Sequence, residues 1–164
     1  MRERVIRDEI HKDILVPFNH ARIIDTKEFQ RVRSIQQLST CEYVFPAANH
    51  NRFSHSLGAY HLASKLTELI QEVQPGLISD DDAELVQLAA LLHDIGHPPY
   101  SHLLETPKVF ATFHSHEHWG RLLLESTKTE IGEVVKEILG EDRLGRLFAI
   151  MDGEEEFAGQ AIPP

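Results

Sequence analysis

The chain has 164 residues and a formal net charge of −10, with 41% hydrophobic and 26% charged residues. This length suits a single domain with its own hydrophobic core. No apolar run reaches the ~20 residues that a membrane span needs. The acidic net charge argues against strong nucleic-acid binding, which needs a basic surface. The single cysteine, Cys41, excludes an intramolecular disulfide and favours a reducing, cytoplasmic setting.

The charges are unevenly distributed along the chain. Residues 1–40 carry eight of the sixteen Lys and Arg residues against six acids, whereas residues 125–156 carry ten acids against four bases. A basic region in an acidic protein suits a small polyanion, such as a nucleotide, bound in a pocket. A solvated charged surface without a ligand is the alternative interpretation.

The N-terminal part predicts a short arm followed by helices. The mixed residues before and after Pro17 predict a hairpin or an irregular arm, which we bound at residues 1–23. Apolar residues recur every three positions over residues 26–38, as on one face of a helix. A second helix is expected over residues 52–73. One of its faces is predicted to point inward and contains His55, Ala59, Leu62 and Leu66.

A third helix is expected to be central and buried. Ser79 and Asp82 have the spacing of a capping box and open it. Residues 88–92 are apolar all round, and the helix is predicted to reach Ile95. Gly96 is expected to end it in the left-handed conformation.

The C-terminal part predicts three further helices. The first begins near Ser115, the second is capped within residues 127–130 and ends at Gly140, and the last is a short helix over residues 144–151. We therefore predict an all-α bundle with a helical core over residues 24–151 and a tail over residues 152–164.

The His93-Asp94 pair is the most informative motif, because it directly follows the apolar helical segment. An imidazole nitrogen and a carboxylate oxygen side by side offer two ligands to one metal ion. A buried Asp94 without a cation or several donors would be costly. His55, on the preceding helix, can supply a third ligand. The sequence predicts a divalent metal site, although a single inward histidine is more often an ordinary core residue.

Six of the eleven histidines lie within residues 93–118. Three of them are interpreted as acid–base groups acting on a phosphate ester: His97, His102 and His116. Glu105, one helical turn beyond His102, could orient that histidine. A surface histidine is the alternative for each of the three, and it is the interpretation preferred for His114 and His118.

Arg52 precedes His55 by three residues, so the two lie on the same helical face. A guanidinium beside a metal ligand suits a phosphate oxygen. An ion pair with one of the many acids is the alternative.

Several sequence blocks accompany these motifs between residue 5 and about residue 120. They are Ile24-Asp25-Thr26, Phe29-Gln30-Arg31-Val32-Arg33, Gln37-Leu38, Val44-Phe45-Pro46-Ala47, His50-Asn51-Arg52-Phe53, His55-Ser56-Leu57-Gly58, His93-Asp94-Ile95-Gly96-His97, Pro99-Tyr100-Ser101-His102 and Ser115-His116-Glu117. Together they resemble the HD-domain metal-dependent phosphohydrolases, and within these the deoxynucleoside triphosphate triphosphohydrolases. The resemblance implies an all-α HD-domain bundle that hydrolyses a dNTP to nucleoside and triphosphate.

The resemblance also implies roles for individual residues. The metal ligands would be His55, His93 and Asp94, holding Mn, Fe, Zn, Ni or Mg. Arg52 would hold a phosphate, and Gln37 and Leu38 would contact the deoxyribose. The catalytic residues would be His97, His102, His116 and Glu105. A regulatory nucleotide site at a subunit interface would use Asp25, Gln30 and Arg33, so an activating nucleotide and a homo-oligomer are expected.

Two departures from the family pattern bear on these expectations. Ser39 stands where a glycine is common after Gln-Leu. The family's fourth metal ligand, an aspartate in a later Asp-rich block, has no counterpart before Pro164. We therefore expect this chain to be the N-terminal portion of a longer phosphohydrolase that hydrolyses dNTPs poorly by itself, with Asp152 as a candidate substitute ligand.

Two other functions remain open from the sequence. One is an HD hydrolase that acts on nucleoside monophosphates or other phosphate esters. The other is a catalytically weak fragment that binds metal and nucleotide and has a regulatory role.

Overall fold

The structure is a computed structural model that describes residues 3–101 and 114–153. Two strands and six α-helices make up the described part: β1 Glu3–Asp8, β2 Lys12–Pro17, α1 Phe18–Asp25, α2 Lys27–Arg31, α3 Arg52–Val73, α4 Asp80–Leu92, α5 His116–Glu125 and α6 Glu130–Asp152. The predicted all-α bundle is confirmed, and the N-terminal arm, expected as a hairpin or an irregular segment, is a hairpin. No helix in these two ranges is long and apolar enough to cross a membrane.

The N-terminal arm is an antiparallel hairpin in which Val5 pairs with Leu15. Side chains alternate between the two faces of a strand, and Ile14 and Val16 are accordingly fully buried while Leu15 is exposed. The Asp8 carboxylate accepts hydrogen bonds from the backbone of Ile10 and His11, which fixes the turn. The hairpin thus covers one side of the helical core.

The segment after the hairpin differs from the sequence expectation. Phe18–Asp25 is a helix, whereas the sequence pattern predicts that most of it belongs to the arm. The helix expected over residues 26–38 ends at Arg31 and continues as a single 3₁₀ turn, Val32–Ser34. Beyond that turn the chain reverses direction, and Gln36 forms an isolated antiparallel β-bridge with Asn51. This segment therefore connects α2 to the start of α3.

The two helices that position the site begin as predicted. Asn51 caps α3, accepting from the backbone of Ser54, and Ser79 and Asp82 form the expected capping box at α4. Most of the large side chains of α4 are fully buried between α3 and α6: Leu85, Leu88, Leu91 and Leu92. The α4 helix is therefore the central helix of the bundle.

The last two helices close the core. Ser115 caps α5 and Thr129 caps α6. The two C-terminal helices expected on either side of Gly140 are joined in α6 across a kink, where Gly140 has a φ of 71°. A left-handed residue of this kind is readily supplied by glycine.

Two local predictions were wrong. Leu62 and Leu66 of α3 are 58% and 55% exposed, so the face that they share with His55 does not point inward. Gly96 does not have a positive φ. Its lack of a side chain serves packing instead, because a Cβ there would collide with the His116 carbonyl and the Gly120 nitrogen of α5.

Candidate metal centre and active site

The first turn of α3 and the end of α4 bring together the three predicted metal ligands. The Nε2 atoms of His55 and His93 lie 3.3 Å apart. Asp94 Oδ2 lies 3.6 Å from His55 Nε2, and Asp94 Oδ1 lies 3.4 Å from His93 Nε2. One ligand atom from each residue thus falls within 4.8 Å of the other two.

The chemistry of these donor atoms fits a divalent cation. His93 Nδ1 lies 2.9 Å from the Ala90 carbonyl, which can only accept, so the Nδ1–H is directed at that carbonyl and Nε2 is the ring nitrogen directed toward His55 and Asp94. Burial lowers the pKa of His55 despite the nearby Asp94 charge, which favours a neutral imidazole. Two imidazole nitrogens and one carboxylate oxygen suit a first-row transition metal.

Behind these ligands, the buried guanidinium of Arg52 holds the carboxylate. Arg52 Nη1 donates to Asp94 Oδ2 at 2.5 Å, and Arg52 Nε donates to Ser101 Oγ at 3.1 Å. Ser101 Oγ in turn donates to the Gln36 carbonyl at 3.0 Å. This chain of bonds fixes the orientation of Asp94, in the way that residues behind a metal ligand commonly do.

Asp94 is ionised at neutral pH. Burial would by itself raise the pKa of this carboxyl, but the hydrogen bond from His97 and the charges of His93 and Arg52 outweigh burial. The pKa of Asp94 therefore lies well below its usual range. A permanently charged carboxylate in this position is a ready cation ligand.

A second cluster shares Asp94 with the first. His97 Nε2 lies 3.2 Å from Asp94 Oδ1, and the His97 and His116 rings stack with centroids 3.7 Å apart. Burial lowers the pKa of His97, although the bond to Asp94 opposes this shift. His116 Nε2 also lies 3.1 Å from the Glu117 carboxylate. Two of the predicted acid–base histidines thus lie together beside the predicted metal ligands.

Arg31 is a site residue for which the sequence analysis assigned no role. Its guanidinium donates to the carbonyls of Ile95 and His97 at 2.7 and 2.9 Å, which holds the turn that follows the His-Asp pair. Its inclusion in the Phe29–Arg33 sequence block was the only available signal. Ser101 likewise belongs to one of the family-like sequence blocks but has no predicted role.

The other predicted site residues lie in different places. His102 and Glu105 are outside the described residues. Gln37 follows the 3₁₀ turn, and its buried Oε1 has no hydrogen-bond partner among the described residues. Leu38 is 46% exposed. Ser39 has a φ of 56°, which gives a physical reason for the glycine common in the family at this position.

Each of the three predicted regulatory residues, Asp25, Gln30 and Arg33, has a side-chain partner in the structure. Asp25 accepts two hydrogen bonds from Arg4, at 2.5 and 2.6 Å. Arg33 Nε donates to Gln30 Oε1 at 2.7 Å, and the Arg33 guanidinium lies 3.4 Å over the Phe53 ring. All three residues lie on the segment between the hairpin and α3.

A cleft of about 200 Å³ opens beside the predicted metal ligands and is lined by His93 and by residues of α5 and α6, among them His116. Arg121 and Asp152 line it and form an ion pair at 3.2 Å. Within the described part of the chain, the group of three possible ligands around His93 does not include Asp152. Asp152 therefore does not complete the metal site in this arrangement.

The comparison with protein families agrees with this geometry. Residues 52–152, which contain all three predicted ligands, match the HD domain. The chain belongs to the HD-domain family, whose members are metal-dependent phosphohydrolases.

Individual relatives point to one branch of this family. An uncharacterized protein of Methanocaldococcus jannaschii is 48% identical over 118 residues, which are 72% of this chain and 23% of that protein. The deoxynucleoside triphosphate triphosphohydrolase SAMHD1 of Bos taurus and that of Homo sapiens are each 50% identical over 103 residues, 62% of this chain. Those segments are 18% and 16% of the two enzymes, so the chain spans about a fifth of the length of these relatives.

Proposed function

We propose that this chain is the metal-binding part of a phosphohydrolase that hydrolyses deoxynucleoside triphosphates to nucleoside and triphosphate. The observation that carries the proposal is the position of Asp94, which belongs both to the possible metal-ligand group and to the group with His97 and His116. A metal centre with imidazoles at its edge is suited to phosphate ester hydrolysis.

The proposal assigns the cation to His55, His93 and Asp94. When bound, a divalent ion polarises a phosphate oxygen and lowers the pKa of water. Arg52 keeps Asp94 in place with one of its five N–H donors and contacts Ser101 with a second. Because the Arg52 side chain is only 2% exposed, we assign it to holding Asp94 rather than to direct contact with a substrate phosphate.

The proposed acid–base work falls to the histidines beside the metal ligands. Burial keeps His97 neutral at pH 7, and its bond to Asp94 fixes the ring. His116, stacked on His97 and next to Glu117, is the proposed donor of a proton to the departing nucleoside oxygen. His102 and Glu105 are assigned to the same task from the family resemblance.

The substrate assignment is supported by Gln37 and by the relatives. A buried carbonyl oxygen without a hydrogen-bond donor is costly, and a sugar hydroxyl would satisfy it. The exposed Leu38 beside it can cover an apolar face of a deoxyribose. Two enzymes named as deoxynucleoside triphosphate triphosphohydrolases share half of their matched residues with this chain.

The proposed regulatory site would require a local exchange of partners. Asp25 is engaged by Arg4, so a nucleotide that uses Asp25 must displace the Arg4 guanidinium. Both side chains are about half exposed, and an ion pair of this kind is weak. The exchange is therefore energetically feasible.

A smaller phosphate ester is the second candidate substrate. The cleft beside His93 and His116 measures about 200 Å³, below the ~300–1,000 Å³ of common small-molecule sites. This volume favours a substrate of nucleoside monophosphate size over a dNTP. The products of the reaction distinguish the two candidates.

The test is a product analysis with the purified, metal-loaded protein. Each of the four dNTPs and a nucleoside monophosphate are incubated separately, and nucleoside, triphosphate and phosphate are resolved by chromatography. Because this chain is expected to hydrolyse dNTPs poorly by itself, the proposed function predicts slow turnover that releases nucleoside and triphosphate in equal amounts. Phosphate from a monophosphate alone would support the second candidate, and metal binding without turnover would support the regulatory alternative.

A matched pair of variants on α5 tests the role of His116. His116→Ala should lower kcat by ~10²–10⁴-fold, the usual contribution of a general acid or base. His118→Ala is the control, because His118 is exposed two residues further along the same helix. Equal rates in the two variants would remove His116 from the proposed mechanism.

A further inference from the structure

Four large aliphatic side chains form a continuous exposed stripe along α3. Leu62, Leu66, Leu69 and Val73 are between 54% and 67% exposed. Their spacing of four, three and four residues is that of the a and d positions of a heptad repeat. The 22-residue helix is long enough to present this stripe as a straight seam.

The rest of α3 holds the stripe in a fixed orientation. Tyr60, Ala63 and Thr67 face the core and are buried. Tyr60 contacts His20, and Thr67 accepts a hydrogen bond from Gln87 of α4 at 3.0 Å. The stripe is therefore a rigid surface of a packed helix, and exposed apolar surfaces of this kind commonly mark contact sites.

We propose that this stripe is a dimer contact, in which α3 of two copies of the chain pack antiparallel. Leu66 then packs against Leu69 of the partner subunit, and Leu62 packs against Val73 of the partner subunit. The same contacts recur through the two-fold axis, as a symmetric dimer requires.

Charge complementarity selects the second copy and its direction. Lys65 and Glu72 are exposed and lie on the same edge of the stripe, each directly before an a position. In an antiparallel pair these edges meet, so Lys65 reaches Glu72 of the partner subunit, twice in the dimer. In a parallel pair Lys65 would instead meet the apolar Ile70 of the partner subunit.

Forming the Lys65–Glu72 ion pairs requires the loss of only one weak ion pair within each monomer. Lys65 Nζ lies 2.8 Å from Glu68 Oε2, but both side chains are more than half exposed. Exposed pairs within a helix contribute little, so Lys65 can exchange one acid for the other. Because the seam has only four apolar residues per copy, we expect a weak dimer whose population rises with protein concentration.

Sedimentation of the 164-residue protein over a wide concentration range tests the association. The wild type should shift from monomer to dimer, and Leu66→Glu combined with Leu69→Glu should be monomeric throughout. Leu122→Glu on α5 is the control, since Leu122 is similarly exposed but lies outside the stripe. A wild type that is monomeric at every concentration, or a stripe variant that associates like the wild type, would overturn the proposal.

Disulfide crosslinking tests the direction of packing. Leu62→Cys and Val73→Cys are made separately in a Cys41→Ser background, which removes the only native thiol. The antiparallel pair predicts crosslinking when the two variants are mixed and none in either variant alone. Two copies of the same position would be offset by 11 residues, about 16 Å along the helix, too far for a disulfide. Crosslinking of each variant alone would indicate a parallel pair, and no crosslink in the mixture would refute the contact.

Charge reversal tests the ion pairs independently of the apolar seam. Lys65→Glu should raise the dissociation constant, because two glutamates then meet at each end of the seam. Adding Glu72→Lys should restore dimerisation, since the pair is re-formed with opposite signs. A double variant as weak as Lys65→Glu alone would contradict the assigned pairing.

Discussion

Arg52 and Asp94 form an ion pair inside the protein, with the guanidinium nitrogen 2.5 Å from the carboxylate and side-chain exposures of only 2% and 6%. Forty-two residues separate the two in sequence. The pair couples the first turn of α3 to the end of α4, the two places from which the proposed metal ligands come. Folding and the metal centre therefore depend on the same contact.

Asp94→Asn should remove the metal and destabilise the fold. The amide supplies no negative charge to the cation and leaves the Arg52 guanidinium buried without its counter-ion. Removing one partner of a buried pair commonly costs about 3–5 kcal/mol. Elemental analysis and urea unfolding measure the two effects, with the exposed Asp142→Asn as a control. Unchanged metal content in Asp94→Asn would contradict the assignment of this ligand.

The protein should become less stable as the pH is lowered, because of a buried histidine far in sequence from the proposed metal ligands. His20 lies 2.9 Å from the Tyr60 hydroxyl and 3.1 Å from Glu84, and burial lowers its pKa despite the nearby carboxylate. The unfolded chain then binds a proton near pH 6.5 that the folded chain resists. Because the unfolded state binds more protons, the free energy of unfolding decreases as pH falls through and below about 6.5.

Urea unfolding between about pH 5 and 8 measures this dependence. His20→Asn should have a shallower slope than the wild type. The slope should not vanish, since the pKa values of His55 and His97 are also lowered by burial. His118→Asn, at an exposed position, is the matched control for the histidine-to-asparagine change. Identical slopes for wild type and His20→Asn would show that His20 does not contribute.

The sequence predicts best what is determined locally. The start of α3 and the capping box of α4 depend on side chains within three residues, so both helices begin where the pattern indicates. The adjacent His93 and Asp94 likewise need no long-range information to suggest a metal ligand pair. The amphipathic face of α3 was predicted with the wrong orientation, because periodicity identifies a face but not what packs on it.

What the sequence does not predict depends on contacts between distant segments. The α1 helix follows Pro17 and is stabilised by packing against the hairpin and α6, which local pattern cannot supply. The partner of Arg52 could have been any of the 26 acids. The role of Arg31, which binds two carbonyls of the turn after α4, is visible only once the turn is folded.

Substitution by glycine should change the free energy of unfolding in opposite directions at two serines that have a left-handed backbone. Ser39 has a φ of 56°, and its buried Oγ has no hydrogen-bond partner among the described residues. Ser39→Gly removes the backbone strain, typically ~1–2 kcal/mol, and the buried hydroxyl, so we expect stabilisation of about 1 kcal/mol after the entropy cost of glycine. Chemical unfolding measures it.

Ser101 is the matched control for Ser39. Its φ is 50°, but its Oγ bonds both Arg52 and the Gln36 carbonyl. Ser101→Gly relieves similar strain and leaves two buried groups without a partner, which costs more than it gains. We therefore expect destabilisation. If both variants shifted stability in the same direction, hydrogen bonding at Ser101 would not be the deciding factor.

Gly96→Ala should separate the two halves of the proposed active site. A Cβ at Gly96 would overlap the His116 carbonyl and the Gly120 nitrogen, so α5 must move away from the turn after α4. Backbone atoms cannot rotate aside as side chains do, and overpacking of this kind typically costs ~1–3 kcal/mol. Because α5 carries His116, the 3.7 Å stack of His116 on His97 should be lost as well.

Gly145→Ala in α6 is the control, because a Cβ there has nothing within 4 Å and alanine should stabilise an α-helix by up to ~1 kcal/mol. Unfolding free energy and the hydrolysis rate are measured for both variants. Equal stability and activity of Gly96→Ala and the wild type would show that close contact between this turn and α5 is not needed.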